Sequence, residues 1–197
     1  AVTIAIGSAQ IGVSGSVVTV NPSSDLVVGQ EGQEYTVKVE SGAIVDQATA
    51  GANAFAGVEY TFELKDVSEP TLLSSGGLVP ASGATDVVLS TSFVLKFTEE
   101  VLPGTGNLLV SAGTSGDVRT IAIQDTTQVT FAGSVVTVKT SAALESSQTG
   151  QTYTVTVGGG VITDRATVRN PYAGLAGSAY VVSVEDTAAP TVSAQVP

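Results

Sequence analysis

Long stretches of this chain occur twice, and that repetition limits what it folds into more than any other feature. The hexapeptide GSVVTV at residues 15–20 recurs at residues 133–138, and YTVKVESGAIVDQAT from Tyr35 recurs as YTVTVGGGVITDRAT from Tyr153, both displaced by 118 positions. Leu26 and Leu144 keep that displacement, while TIAI at Thr3 matches TIAI at Thr120 after a one-residue slip. Downstream, FELKDVSEPT corresponds to VVSVEDTAAPT after a two-residue insertion. The slips fall between runs of alternating apolar residues, where loops tolerate changes of length.

The chain does not begin in the frame of its own repeat. The segment ahead of Thr120, TLLSSGGLVPASGATDVVLSTSFVLKFTEEVLPGTG, has no counterpart ahead of Thr3. Residues 1–68 therefore read as the back part of one module lacking its first strands, 69–188 as a complete module, and 189–197 as the first strand of a following module or a linker. The part missing from the first module includes a central strand equivalent to residues 88–97, which a short tail such as 189–197 cannot supply. A fragment of a longer repeat protein is the expected origin of this frame.

The residues within the repeat favour extended chain. Val and Thr, both abundant, lose side-chain freedom in helices and pack well on a pleated surface. Charged residues are only 13% of the chain and the formal charge is −11, a composition too apolar for disorder. Apolar and polar residues alternate at 92–97, 135–138 and 153–157, the period of a half-buried strand. Further strands are predicted at 71–79, 107–112, 118–123, 128–131 and 179–184. Turn signals separate them: PASGATD, LPGTGN, SAGTSGD, SSQTGQ and the Gly158-Gly159-Gly160 run. Short strands punctuated in this way predict an all-β sandwich or barrel.

Function classes fall away on residue types. Cys, His, Met and Trp are absent, so nucleophilic triads, zinc sites of the usual kinds and a disulfide framework cannot be built. A sugar-cleaving pair of carboxylates needs aromatic platforms that 5 Tyr and 5 Phe without Trp supply poorly. Adjacent Glu99 and Glu100 read as a polar loop after a buried strand. Neither GTGNLL nor GGGVITD has the Lys and following helix of a phosphate-binding loop. Nucleic acid is an unsuitable partner for an acidic chain with 7 scattered cations. No apolar run approaches the length of a membrane helix, and any signal peptide is expected to have been removed or to lie upstream. The chain reads as a non-enzyme.

These residues resemble the bacterial Ig-like domains of S-layer proteins and large surface adhesins. The resemblance is carried by PxxGATDVxLxxxFxLxFTEEV at residues 80–101, by LxxxxxxxxYTVTVxxGxxxD at 144–164, and by a DxxxP joint at Asp66 and again at Asp186. It implies tandem immunoglobulin-like β-sandwich modules in a secreted or cell-surface protein. The role it implies is structural or adhesive, as part of an S-layer, stalk or surface filament whose partners are neighbouring copies or modules. The alternative is a glycan- or protein-binding accessory module of a larger secreted protein, using the loops at 50–58 and 168–178. One departure is visible: relatives often place Gly-Asn shortly after the Asp of the last long loop, whereas Asp46 is followed by Gly51 and Asn53 and Asp164 runs into RATVRNPYAG.

Two expectations follow for particular side chains. The Leu-to-Tyr spacing ending at Tyr35 and Tyr153 looks like a tyrosine corner, with a buried ring whose hydroxyl bonds upstream backbone. The Ig-like chain path also brings the joint acids Asp66 and Glu69 to the same pole as Glu99, Glu100 and Asp164. Such a group reads either as solvated loop charges or as a site for calcium, a hard cation that takes six to eight oxygens and is the one cofactor these residues suggest.

Overall fold

The computed structural model describes residues 2–26, 34–113, 116–146, 151–190 and 192. Compact units span Ala1–Asp66 and Val67–Pro197, and among the described residues all regular structure is β. No helix there is long and apolar enough to cross a membrane. The strand expected across 189–197 lies outside the described residues from Thr191 onward, apart from Val192.

In the first unit β1 (Ile11–Ser14) and β2 (Val17–Val20) form an antiparallel hairpin with Ile11 opposite Val20. Its two-residue turn places Gly15 at φ 59°, a left-handed conformation that suits the twist of paired strands and favours glycine. β3 (Glu34–Val39) pairs with β4 (Val58–Glu63), Tyr35 lying opposite Phe62. The Tyr35 and Phe62 rings stack with centroids 5.9 Å apart.

The second unit is a sandwich. Its strands are β5 (Leu78–Val79), β6 (Ser92–Lys96), β7 (Val101–Pro103), β8 (Asn107–Ala112), β9 (Val118–Ala122), β10 (Val129–Ala132), β11 (Val135–Lys139), β12 (Thr152–Val157), β13 (Ile162–Asp164) and β14 (Val181–Ser183). One sheet has the order β10-β11-β6-β5 and the other β14-β12-β8-β9, while β7 and β13 make a separate ribbon. Alternation turns Phe93 and Leu95 of β6 and Val136 and Val138 of β11 into a common core with Leu108 and Val110 of β8, Ile121 of β9, and Tyr153, Val155 and Val157 of β12. Each such side chain gains roughly 1.5–3 kcal/mol from leaving water. Phe97 meets Tyr172 edge to face, ring centroids 5.1 Å apart.

The strand expected over 71–79 is interrupted. Leu73 donates its N–H to the Lys96 carbonyl at 2.9 Å, and Lys96 donates to the Gly77 carbonyl at 2.8 Å, so 74–76 loop out between two contacts with the same residue of β6. A Cβ on Gly77 would lie 2.3 Å from the Leu73 carbonyl oxygen, which explains the glycine at the point where the chain closes on itself. After β5 the chain crosses to the other sheet: Gly83 donates to Val181 at 2.6 Å and Val87 to Ser183 at 3.0 Å, alongside β14. The GATDV motif is the segment that makes this crossing.

Tyr153 is fully buried in the manner expected of a tyrosine corner. Its hydroxyl accepts the Glu145 N–H at 2.9 Å and donates to Asp117 Oδ2 at 2.7 Å. Asp117 in turn holds Arg119 at 2.6 Å.

The hairpins of the two units share their register. Val129 faces Val138 as Ile11 faces Val20, and Tyr153 faces Val182 as Tyr35 faces Phe62. Gly133 occupies the β10–β11 turn at φ 59°, as Gly15 does between β1 and β2.

Candidate metal centre

The β7–β13 ribbon carries Asp164 as the last residue of β13, and Glu99 stands in the bend two residues ahead of β7. The first sheet ends at Phe97, whose N–H bonds the Ser134 carbonyl at 2.8 Å. The chain then enters β7, with Val101 paired to Asp164. Glu99, in the bend just ahead of β7, and Val101, its first residue, are buried, while Glu100 between them is half-exposed. In the same way Ile162 and Asp164 are buried and Arg165 is exposed. The outward pair, Arg165 and Glu100, forms a surface ion pair at 2.7 Å, of the kind worth little to stability.

The inward acids converge. Asp66, Glu99 and Asp164 are all buried, and one carboxylate oxygen from each lies within 4.8 Å of the others. Of the five acids singled out in the sequence, Glu69 is exposed and Glu100 faces the solvent with Arg165, so neither joins the group. Three carboxylates are the hard oxygen donors that calcium prefers, without His or Cys. Carboxylates gathered this closely repel one another when ionised, a repulsion that a divalent cation offsets.

Asp164 is held in place from its own loop. Its Oδ1 accepts the Ala166 N–H at 3.2 Å and the Asn170 N–H at 2.9 Å, and its Oδ2 accepts the Asn170 side-chain amide at 2.7 Å. Asp46 is held alike by Ala48 at 3.2 Å and by the backbone and side chain of Asn53, both at 2.8 Å. The Asn53 side chain first, then its N–H and that of Ala48, keep the Asp46 carboxyl below the usual carboxylate range. A Gly-Asn pair shortly after the Asp, the spacing of relatives, is absent from the second copy and does not single out Asn170. The signal was the Asn standing six or seven positions beyond an Asp-x-Ala-Thr in both copies.

The model of the bacterial Ig-like domain family matches residues 66–183, more than half of the chain, and begins on Asp66 itself. This chain belongs to the bacterial Ig-like domain family. Domains of that family are in general non-enzymatic structural modules and typically occur in surface or extracellular proteins. No characterised protein sequence and no solved structure matches the chain. The bacterial Ig-like match contains Glu99 and Asp164 and takes in the joint Asp66 as its first residue.

Proposed function

We propose that this chain is a structural or adhesive repeat of a secreted or cell-surface protein. Its immunoglobulin-like modules follow one another in tandem, as in an S-layer element, a stalk or a surface filament. The observation that supports this reading best is the displacement of 118 residues between sequences that adopt hairpins of one register in both units. A fold whose interior holds aliphatic and aromatic side chains, with acids gathered at the chain joint, suits a spacer whose natural neighbours are further modules of its own kind.

Calcium is the cation proposed for Asp66, Glu99 and Asp164. In that role it holds together Asp66, the first residue of the family match, with Glu99 and Asp164. DxxxP recurs at Asp186, so the proposal treats the same joint acid as a device used module after module.

Electron microscopy of the full-length parent protein tests the reading. Beads in series or a two-dimensional lattice are expected. A parent that is one compact particle with a catalytic core would overturn it.

A further inference from the structure

The outward face of the β14-β12-β8-β9 sheet carries no ionisable side chain. Tyr153, Val155 and Val157 of β12, Leu108 and Val110 of β8 and Ile121 of β9 point into the core, so the residues between them form the other side. Thr154 stands near its centre, paired with Ser111 on one flank and Val181 on the other. Thr156 lies opposite Leu109, and Leu109 opposite Thr120. At one end the hydroxyls of Thr152 and Ser183 are 3.2 Å apart across the β12–β14 pair. None of these outward positions holds an aromatic ring. The acid Asp86 stands at the rim, on the crossing segment that runs alongside β14.

Strand pairing does not demand such a face. β3 and β4 place Glu34 opposite Glu63 and Lys38 opposite Glu59, all exposed, and they pair in the register that β12 and β14 share. At the repeat positions of Glu34, Glu63 and Lys38 the second unit has Thr152, Ser183 and Thr156. Nor is the loss of charge general to the second unit, since Lys96 of β6 and Lys139 of β11 face outward from its other sheet. Charge is missing from one face of one sheet, with an acid at its rim, and depletion of charge at the centre is what marks a protein interface.

We propose that this face is a contact surface for a second copy of the chain, packed face to face about a twofold axis. The occupant follows from charge. Each copy carries −11, and copies so charged repel on approach. That repulsion is least where neither surface brings a carboxylate. An ionic ligand finds no counter-charge here, and a sugar finds no ring to stack on. Hydroxyls both donate and accept, so this surface can match its own copy, as a twofold contact requires. Four strands of this length cover a patch roughly 20 Å on a side, smaller than the ~800 Å² per partner of a standard stable interface. A single contact is therefore weak and reversible, and repetition along a row of modules multiplies it. This inference rests on the structural-repeat reading above.

Sedimentation equilibrium of the full chain over a wide range of concentration tests the surface. A monomer–dimer equilibrium is expected that tightens as salt screens the net repulsion. Thr154→Glu brings a carboxylate from each copy into the contact and is expected to weaken association by at least about tenfold. Thr137→Glu, outward on β11 of the other sheet, adds the same charge and is expected to weaken it far less. Unaltered melting temperatures show that both variants fold. Dilution of the unaltered chain needs no variant: amide shifts are expected at Leu109, Thr154 and Thr156 and not at Thr137. A chain that is monomeric at every concentration overturns the proposal, as does equal weakening by the two substitutions. Association that loosens with salt, or shifts confined to the first unit, assigns the contact to other surfaces and overturns it too. All these outcomes leave the structural-repeat reading standing, which fails instead if the parent protein is one compact catalytic particle.

Discussion

Asn170 donates its side-chain amide to Asp164 at 2.7 Å, and this bond ties the carboxylate at the end of β13 to the loop that follows it. Both partners are held by the ladder around them: Asp164 N–H bonds the Asn170 carbonyl at 3.1 Å, and Tyr172 N–H bonds Ile162 at 2.9 Å. Asn170→Ala keeps the backbone donor and removes the side-chain one. A hydrogen bond to a buried charged group is worth about 1.5–3 kcal/mol, and a loss of that size is expected in urea unfolding of the full chain. An unchanged midpoint would mean that the loop is held by its backbone bonds alone.

Calcium should stabilise the chain through Asp66, Glu99 and Asp164. Ligand at about a hundredfold excess over its dissociation constant adds about 2.7 kcal/mol, which corresponds to a rise of several degrees in the melting temperature of a domain this size. Melting in calcium is to be compared with melting in chelator. Glu99→Gln, which keeps shape and loses charge, is expected to remove most of the difference. A wild-type chain that melts at one temperature in both buffers has no structural calcium.

The tyrosine corner gives the stability a dependence on pH at both ends. Burial first, and then the Asp117 carboxylate, push the Tyr153 hydroxyl up to about 12. The folded chain thus holds this proton more tightly than the unfolded one. Its contribution is complete below the ordinary tyrosine value of about 10 and is lost as pH rises toward 12, a fall of roughly 2–3 kcal/mol. Asp117 is displaced the other way, held below the usual range by Arg119 first and by Tyr153 to a lesser degree. Its contribution is present above about pH 4 and lost as pH falls through the folded value. Tyr153→Phe is expected to flatten the alkaline limb of a plot of urea midpoint against pH. A limb that keeps its slope would show that the other tyrosines raised by burial, Tyr172 and Tyr180, dominate it.

Much of the sandwich could be read from alternation, because β6, β8, β11 and β12 bury every second residue and their neighbours meet water. The interruption at 74–76 could not be read that way. Leu72 and Leu73 and then Leu78 and Val79 look like one strand until the two hydrogen bonds to Lys96 are seen. β7 and β13 are three residues each, too short for a period to register. The acidic group was legible to the level of loops and no further. Asp66, Glu99 and Asp164 were placed at one pole by the expected chain path. Glu99 and Glu100 lie between β6 and β7, outside any strand, so no alternation in the sequence marked which of them turns inward.

A last expectation concerns a glycine whose surroundings, as well as its own torsion, forbid a side chain. Gly174 has φ 102°, and a Cβ there would lie 2.5 Å from the Val157 carbonyl oxygen. That oxygen accepts the Leu175 N–H at 2.8 Å, and Leu175 returns a carbonyl to the Val157 N–H at 2.9 Å, so the two backbones have no slack. Gly57 meets Val39 in the same way in the first unit, at 2.8 Å. Gly177 also has a positive φ, 58°, but faces open space. Gly177→Ala therefore meets only the left-handed torsion, about 1–2 kcal/mol. Gly174→Ala must also push apart a bonded pair at the end of β12, and strain at such a site adds about 1–3 kcal/mol. Thermal unfolding of the two variants side by side should rank Gly174→Ala clearly lower. Equal losses would mean that Val157 and Leu175 separate at little cost and that the close approach does not shape the module.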